Sequence, residues 1–209
     1  MKAIGHLIEY VLARILLFFF DHLPYGITTV ISRGAANMWW RFDVKRQRVA
    51  TKNIIRSGIE TDPKRARAIA KKSIQTFSLL ILESLKSAEI LDSKDWRDYI
   101  NLKIDPEVVD VFKNPDLALI LAGGHLGNWE IAAHMASQYK PVAGIVRKMN
   151  NPWIERIIKK RKGRYQFRPI PKNDSKASRL IDVLNEKNML ALLFDQHAGD
   201  QGETIDFFG

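Results

Sequence analysis

Residues 117–130 read LALILAGGHLGNWE. The apolar run at 117–122 shows no alternation, as expected of a strand covered on both faces. Two glycines and a histidine follow on a turn, then Gly127, Asn128 and an acid in the first turn of a helix expected near 129–138. Strand, glycine turn and helix form the repeating unit of a parallel α/β sheet. The same rhythm continues in VAGIV at 142–146, YQFRPI at 165–170 and MLALLF at 189–194. Helices are expected between them near 152–163 and 175–187, with Asn151-Pro152 and Asp174-Ser175 as their starts. The fold class is therefore α/β, with a mainly parallel sheet flanked by helices.

In such sheets, functional groups collect beyond the carboxyl ends of the strands. Just past the four strands stand Gly123-Gly124-His125, Arg147-Lys148, Pro171-Lys172 and Asp195-Gln196-His197. A histidine, several cations and an acid are thus expected along one edge.

An acid five residues after a histidine is common by chance, and in one continuous helix that spacing rotates the side chains by roughly 140°. The strand–loop–helix path removes this objection for His125 and Glu130. The glycines permit unusual backbone angles and close substrate approach, and amides at the helix start suit an oxyanion. These are the parts of acyl transfer: His125 takes the proton of an acceptor hydroxyl, while Glu130 orients the ring and stabilises its cation. Taken by itself, the motif also fits a histidine satisfying turn backbone beside a helix-start glutamate. The reaction needs no enzyme nucleophile and no cofactor, so the absence of cysteine is no obstacle.

Upstream, residues 7–20 read LIEYVLARILLFFF, broken by Glu9 and Arg14. The charges and the missing small-residue cleavage site argue against a signal peptide. Either a membrane anchor or a buried core helix fits. Met38, Trp39, Trp40 and Phe42 then lead into Lys45, Arg46, Arg48, Lys52 and Arg56, a sequence of aromatics and cations that suits a headgroup interface or a solvated basic helix. Another helix is expected from Pro63 towards Leu85. The expected organisation is a membrane-associating helical region at 1–87 and an α/β core at 88–209, within one continuous domain.

The chain has 33 Lys+Arg against 23 Asp+Glu, a formal net charge of +10, which favours anionic partners. Without cysteine there is no disulfide framework, thiol nucleophile or cysteine metal site. His6, His22, His134 and His197 show no ligand spacing with His125, so no metal is expected. No zinc-finger or RNA-recognition signature supports nucleic-acid binding. Lys159, Lys160, Arg161 and Arg164 alternate with Ile154, Ile157 and Ile158 on one helix; this fits an acidic carrier protein, anionic headgroups or a solvated face. Trp153 reads as packing. A non-enzymatic basic protein bound to anionic membranes is the alternative class, but it leaves the glycine-framed His125 and Glu130 unexplained.

GGHLGNWE at 123–130, VRKMNNPWIERIIKKRKGRY at 146–165, LFDQ at 193–196 with Gly199 and Gly202, and DFFG at 206–209 resemble the bacterial lipid A biosynthesis acyltransferase family. These are the late lauroyl and myristoyl transferases, within the lysophospholipid acyltransferase superfamily. The resemblance covers nearly the whole chain, including the apolar start. It implies His125 and Glu130 as the catalytic pair and Arg147 as a ligand of substrate phosphate or of the reacting region. It also places Gly124, Asn128, Asp195 and Gln196 near the substrate, without a chemical step for the last two. His197 departs from the acid that many relatives have there. The implied reaction moves a fatty acyl group from acyl carrier protein to a hydroxyl of an anionic lipid A precursor, at the cytoplasmic face of the bacterial inner membrane. The same chemistry with acyl-CoA and another glycolipid or a lysophospholipid is the alternative. Because the family pattern continues beyond DFFG, an α/β core ending at Gly209 is expected to be incomplete.

Overall fold

The computed structural model describes residues 2–92, 96–162 and 166–196. The chain forms two compact units that divide between Tyr99 and Ile100.

The first unit is helical: α1 (Lys2–His22), α2 (Tyr25–Phe42), α3 (Val44–Arg56), α4 (Pro63–Asp92) and α5 (Trp96–Tyr99). Residues Ala3–His22 of α1 are long and apolar enough to cross a membrane, with a rise of about 30 Å for ~20 residues. Among the described residues this helix lacks the burial of a core helix: Ile4, Leu12 and Phe18 are each more than half exposed, and few of its positions are buried. Helices α2 and α3 pack along α4. Asp43 starts α3 by accepting the Arg46 amide at 2.9 Å, and Asp62 starts α4 by accepting the Arg65 amide at 2.8 Å. Each carboxylate satisfies an amide that the helix itself leaves without a partner. Pro63 occupies the first helical position as expected, and α4 continues past Leu85 to Asp92.

The second unit comprises α6 (Pro106–Lys113), β1 (Leu119–Gly123), α7 (Trp129–Ala136), β2 (Val142–Val146), α8 (Pro152–Lys162), β3 (Phe167–Pro171), α9 (Ala177–Asn185) and β4 (Met189–Leu193). Among the described residues, four strands are parallel in the order β1-β4-β2-β3. Strand β4 is therefore inserted between β1 and β2. Side-chain alternation divides the core between the two sheet faces. Val142, Met189 and Ala191 pack with Phe112 of α6 and Ala136 of α7, while Ala143, Ile170 and Leu190 pack with Leu180, Val183 and Leu184 of α9. Met189 and Leu190, adjacent in sequence, thus serve opposite faces, which is why β4 reads as a continuous apolar run.

Asn151 starts α8 as expected, its side chain accepting from the Trp153 amide at 3.0 Å. The start of α9 differs from expectation. Lys172–Asp174 form a single 3₁₀ turn, Ser175 donates back to the Lys172 carbonyl at 2.7 Å, and Lys176 occupies the cap position without a side-chain bond. Asp174 instead pairs with Arg179 at 3.0 Å.

Candidate active site

The parallel sheet brings its four carboxyl ends to one edge. From β1 to β3, the residues just beyond the strands are His125, Asp195, Arg147 and Lys172. Strand order decides which of them meet. With β4 beside β1, the ladder pairs Gly123 with Leu193 and extends through the Phe194 amide to the Gly123 carbonyl at 3.0 Å. His125 and Asp195, 70 positions apart, follow directly.

Both oxygens of Asp195 are engaged by this one histidine. The His125 backbone amide donates to Oδ2 at 2.8 Å, and ring Nδ1 lies 2.8 Å from Oδ1. These bonds, the ring's first and the backbone's second, hold the Asp195 carboxyl below its ordinary range. An ionised carboxylate has no proton to give, so Nδ1–H is the donor and the Nε2 lone pair remains available. The two side chains are each 34% exposed, which leaves the pair open to an incoming substrate. The Trp129 ring stands edge-on to the imidazole, with centroids 5.8 Å apart at 76°.

Gly124 makes this approach sterically feasible. A Cβ built there would lie 3.3 Å from both Cγ and Oδ2 of Asp195, tighter than ordinary carbon contacts. Gly127 has φ of 60°, the left-handed conformation that turns the chain into α7. Asn128 caps that helix, its side chain accepting the Ile131 amide at 3.2 Å. Glu130 is half-buried in the first turn of α7. The ring partner in this arrangement is Asp195, whereas the sequence motif alone points to Glu130.

Arg147, exposed beyond β2, lines a cavity of about 530 Å³ with Lys148, Glu155 and Lys159 and with the apolar Val146, Phe167 and Pro169. Cations and apolar groups in one lining suit a ligand with an anionic group and a hydrocarbon portion. The family model for bacterial lipid A biosynthesis acyltransferases matches residues 2–209. The chain belongs to that family. No curated protein matches the chain significantly.

Family membership establishes acyltransferase chemistry in lipid A biosynthesis in general. For such an acyltransferase, which acts in association with membranes, the apolar exposed α1 is a fitting N-terminal element. On α8 of this acyltransferase, Lys159 pairs with Glu155 at 3.1 Å and Lys160 is exposed. Arg161 belongs to the same helix. Arg164, His197, Gly199, Gly202 and the DFFG motif lie outside the described residues. Gln196 is exposed just beyond β4.

The sequence reading missed Asp195 as the ring partner. Nothing local to LFDQ announces it; the signal would have been strand order, since an acid ending a strand inserted beside β1 must face the β1 turn. Trp129 was likewise identified by its position in the fold rather than by its own spacing.

Proposed function

We propose that this acyltransferase moves a fatty acyl group from the thioester of acyl carrier protein to a hydroxyl of an anionic lipid A precursor, at the cytoplasmic face of the inner membrane, with His125 as general base. The observation that carries this reading is the His125–Asp195 pairing, which leaves Nε2 as the basic atom of a solvent-accessible imidazole. Nε2 accepts the hydroxyl proton as the acceptor oxygen attacks the thioester carbonyl carbon. The tetrahedral intermediate collapses with cleavage of the carbon–sulfur bond, and the imidazolium returns its proton to the departing thiolate. A carboxylate at Nδ1 stabilises the imidazolium between these steps. First-turn amides of α7, at the positive end of that helix, follow His125 closely in sequence and suit the oxyanion.

Glu130 retains its proposed catalytic role through the family resemblance, with Asp195 as the ring-positioning residue. Gly124 supports the site by admitting the Asp195 carboxylate, and Asn128 by fixing the start of α7. Arg147 is the proposed ligand of acceptor phosphate, supported by its place beside Lys148 in the lining of that cavity. Lys159, Lys160, Arg161 and Arg164 are the proposed surface for the acidic carrier or for headgroups.

The test is transfer of labelled acyl groups from acyl carrier protein to a lipid A precursor in detergent, with wild type, His125→Ala, Asp195→Asn and Glu130→Gln. His125→Ala is expected to lower the rate by about 10²–10⁴ with the fold intact by circular dichroism. Unchanged turnover in folded His125→Ala refutes the general-base role. A larger loss in Glu130→Gln than in Asp195→Asn returns the ring-orienting role to Glu130.

A further inference from the structure

Helix α2 is built inside out for a helix in water. Its fully or nearly fully buried positions are Thr28, Ser32, Ala36 and Trp40, spaced four apart and facing α4. Three of these are small, and two are hydroxyl residues. Thr28 Oγ1 donates to the Tyr25 carbonyl at 2.8 Å; Ser32 and Ser78 of α4 join hydroxyls at 2.6 Å, and Ser78 Oγ donates to the Ser32 carbonyl at 2.9 Å. Apart from Trp40, most large apolar residues point the other way. Ile27, Val30, Ile31, Met38 and Phe42 recur at helical spacing about 150° from the buried stripe, and Val30, Met38 and Phe42 are 70%, 63% and 74% exposed.

Water selects the opposite arrangement, with large apolar groups inside and small polar ones outside. Close packing through small and hydroxyl residues, with bulky apolar groups outward, is the pattern of helices whose surroundings are lipid. The flanks agree. Arg33 flanks the apolar stripe and Arg41 falls within it between Val30 and Ile27; both are exposed, and side chains of this length can carry their heads towards phosphates. After the single residue Asp43, α3 shows Lys45, Arg48, Lys52 and Arg56 on one exposed face, opposite its buried Gln47. An apolar stripe followed immediately by a four-cation stripe complements an anionic bilayer, apolar groups meeting acyl chains and cations meeting headgroups. α1, separated from α2 only by Leu23 and Pro24, supplies continuity with the exposed apolar N-terminal element.

We infer that α2 and α3 form a second membrane-contacting element besides α1: the Ile27–Phe42 stripe lies within the interfacial layer of an anionic bilayer, and the Lys45–Arg56 stripe engages lipid phosphates. Arg33 and Arg41 favour an interfacial rather than spanning position for α2. The inference rests on membrane association alone and stands apart from the general-base reading.

The chain lacks cysteine, so single cysteines can carry an environment-sensitive fluorophore without competition. Full-length Met38→Cys and Leu12→Cys proteins, the latter reporting on α1, are labelled and reconstituted into phosphatidylethanolamine–phosphatidylglycerol vesicles. Both labels are expected to shift to the blue and to be quenched by lipids carrying a nitroxide on the acyl chain. Quenching at position 12 with a water-exposed label at 38 overturns the proposal. A blue-shifted label at 38 that lipid does not quench, or that self-quenches between copies, overturns it in favour of a protein partner or a second copy. Independently, replacing Lys45, Arg48, Lys52 and Arg56 by Gln is expected to weaken binding to anionic vesicles by about tenfold or more at physiological salt. Equal binding by the folded quadruple variant overturns the headgroup role of α3.

Discussion

The α/β unit and helix α2 use apolar residues in opposite ways. In the α/β unit, Val142, Val183 and Met189 are wholly buried, the sheet carries core clusters on both faces, and the polar groups of the site gather at the strand ends. In the helical unit, α2 buries Thr28, Ser32 and Ala36 while Val30, Met38 and Phe42 face outward. The difference teaches that the same residue types report on their surroundings through direction. A Met facing a sheet centre is a core residue, and one facing away from a helix pair marks the medium beyond it.

The largest stability effect expected from this contrast is at Met189. Its Cα registers with those of Leu119 and Val142 on the flanking strands, and no part of it is exposed. Met189→Ala should cost about 2–5 kcal/mol through lost burial and the cavity left behind. Denaturant titration of the full chain, with hydrogen exchange at the β4 amides, checks it. A cost below about 0.5 kcal/mol would mean that the sheet centre repacks freely.

Next comes the small-residue seam of α2. Ser32→Leu adds bulk where a hydroxyl pair at 2.6 Å joins α2 to α4, and overpacking of this kind should cost about 1–3 kcal/mol. Thermal unfolding in detergent is the measurement. A more stable protein would show that the seam tolerates larger groups, and the contrast with the sheet core would weaken. At the outward stripe the expectation reverses. Met38→Ser should change stability in detergent-free solution by no more than about 0.5 kcal/mol, because the side chain has little protein contact to lose; a large cost there would make Met38 part of a protein core.

Much of the fold was legible because the α/β unit follows periodic rules. The run VAGIV coincides with β2, and the other three proposed strands overlap β1, β3 and β4 with ends moved by one or two residues. Strand order was not legible, because parallel strands joined by helices leave their lateral sequence open, and the His125–Asp195 contact depends on it. His125 and Arg147 were found from their places at strand ends. The start of α9 was misplaced because Ser175 closes the preceding 3₁₀ turn instead of capping the helix. In α2, Met38 and Phe42 stood out as interfacial residues, but only the packing against α4 reveals that small polar residues occupy the buried side.

The smallest stability effect, and the sharpest probe of the polar edge, concerns Asp195. Its carboxyl is held below the ordinary range by the His125 ring and backbone donors, so the folded state binds its proton less readily than the unfolded chain does. The resulting contribution is present above the unfolded carboxylate pKa and is lost as pH falls through the lower folded value. Because the pair is open to solvent, screening keeps that contribution small. A carbon-detected NMR titration of the Asp195 carboxyl should place its midpoint below that of a free aspartate. In His125→Ala the ring donor is gone while the backbone amide remains, so the midpoint should rise part of the way back. A midpoint that does not move would assign the depression to the backbone amide alone, and the imidazole would then lack the carboxylate partner that fixes its tautomer.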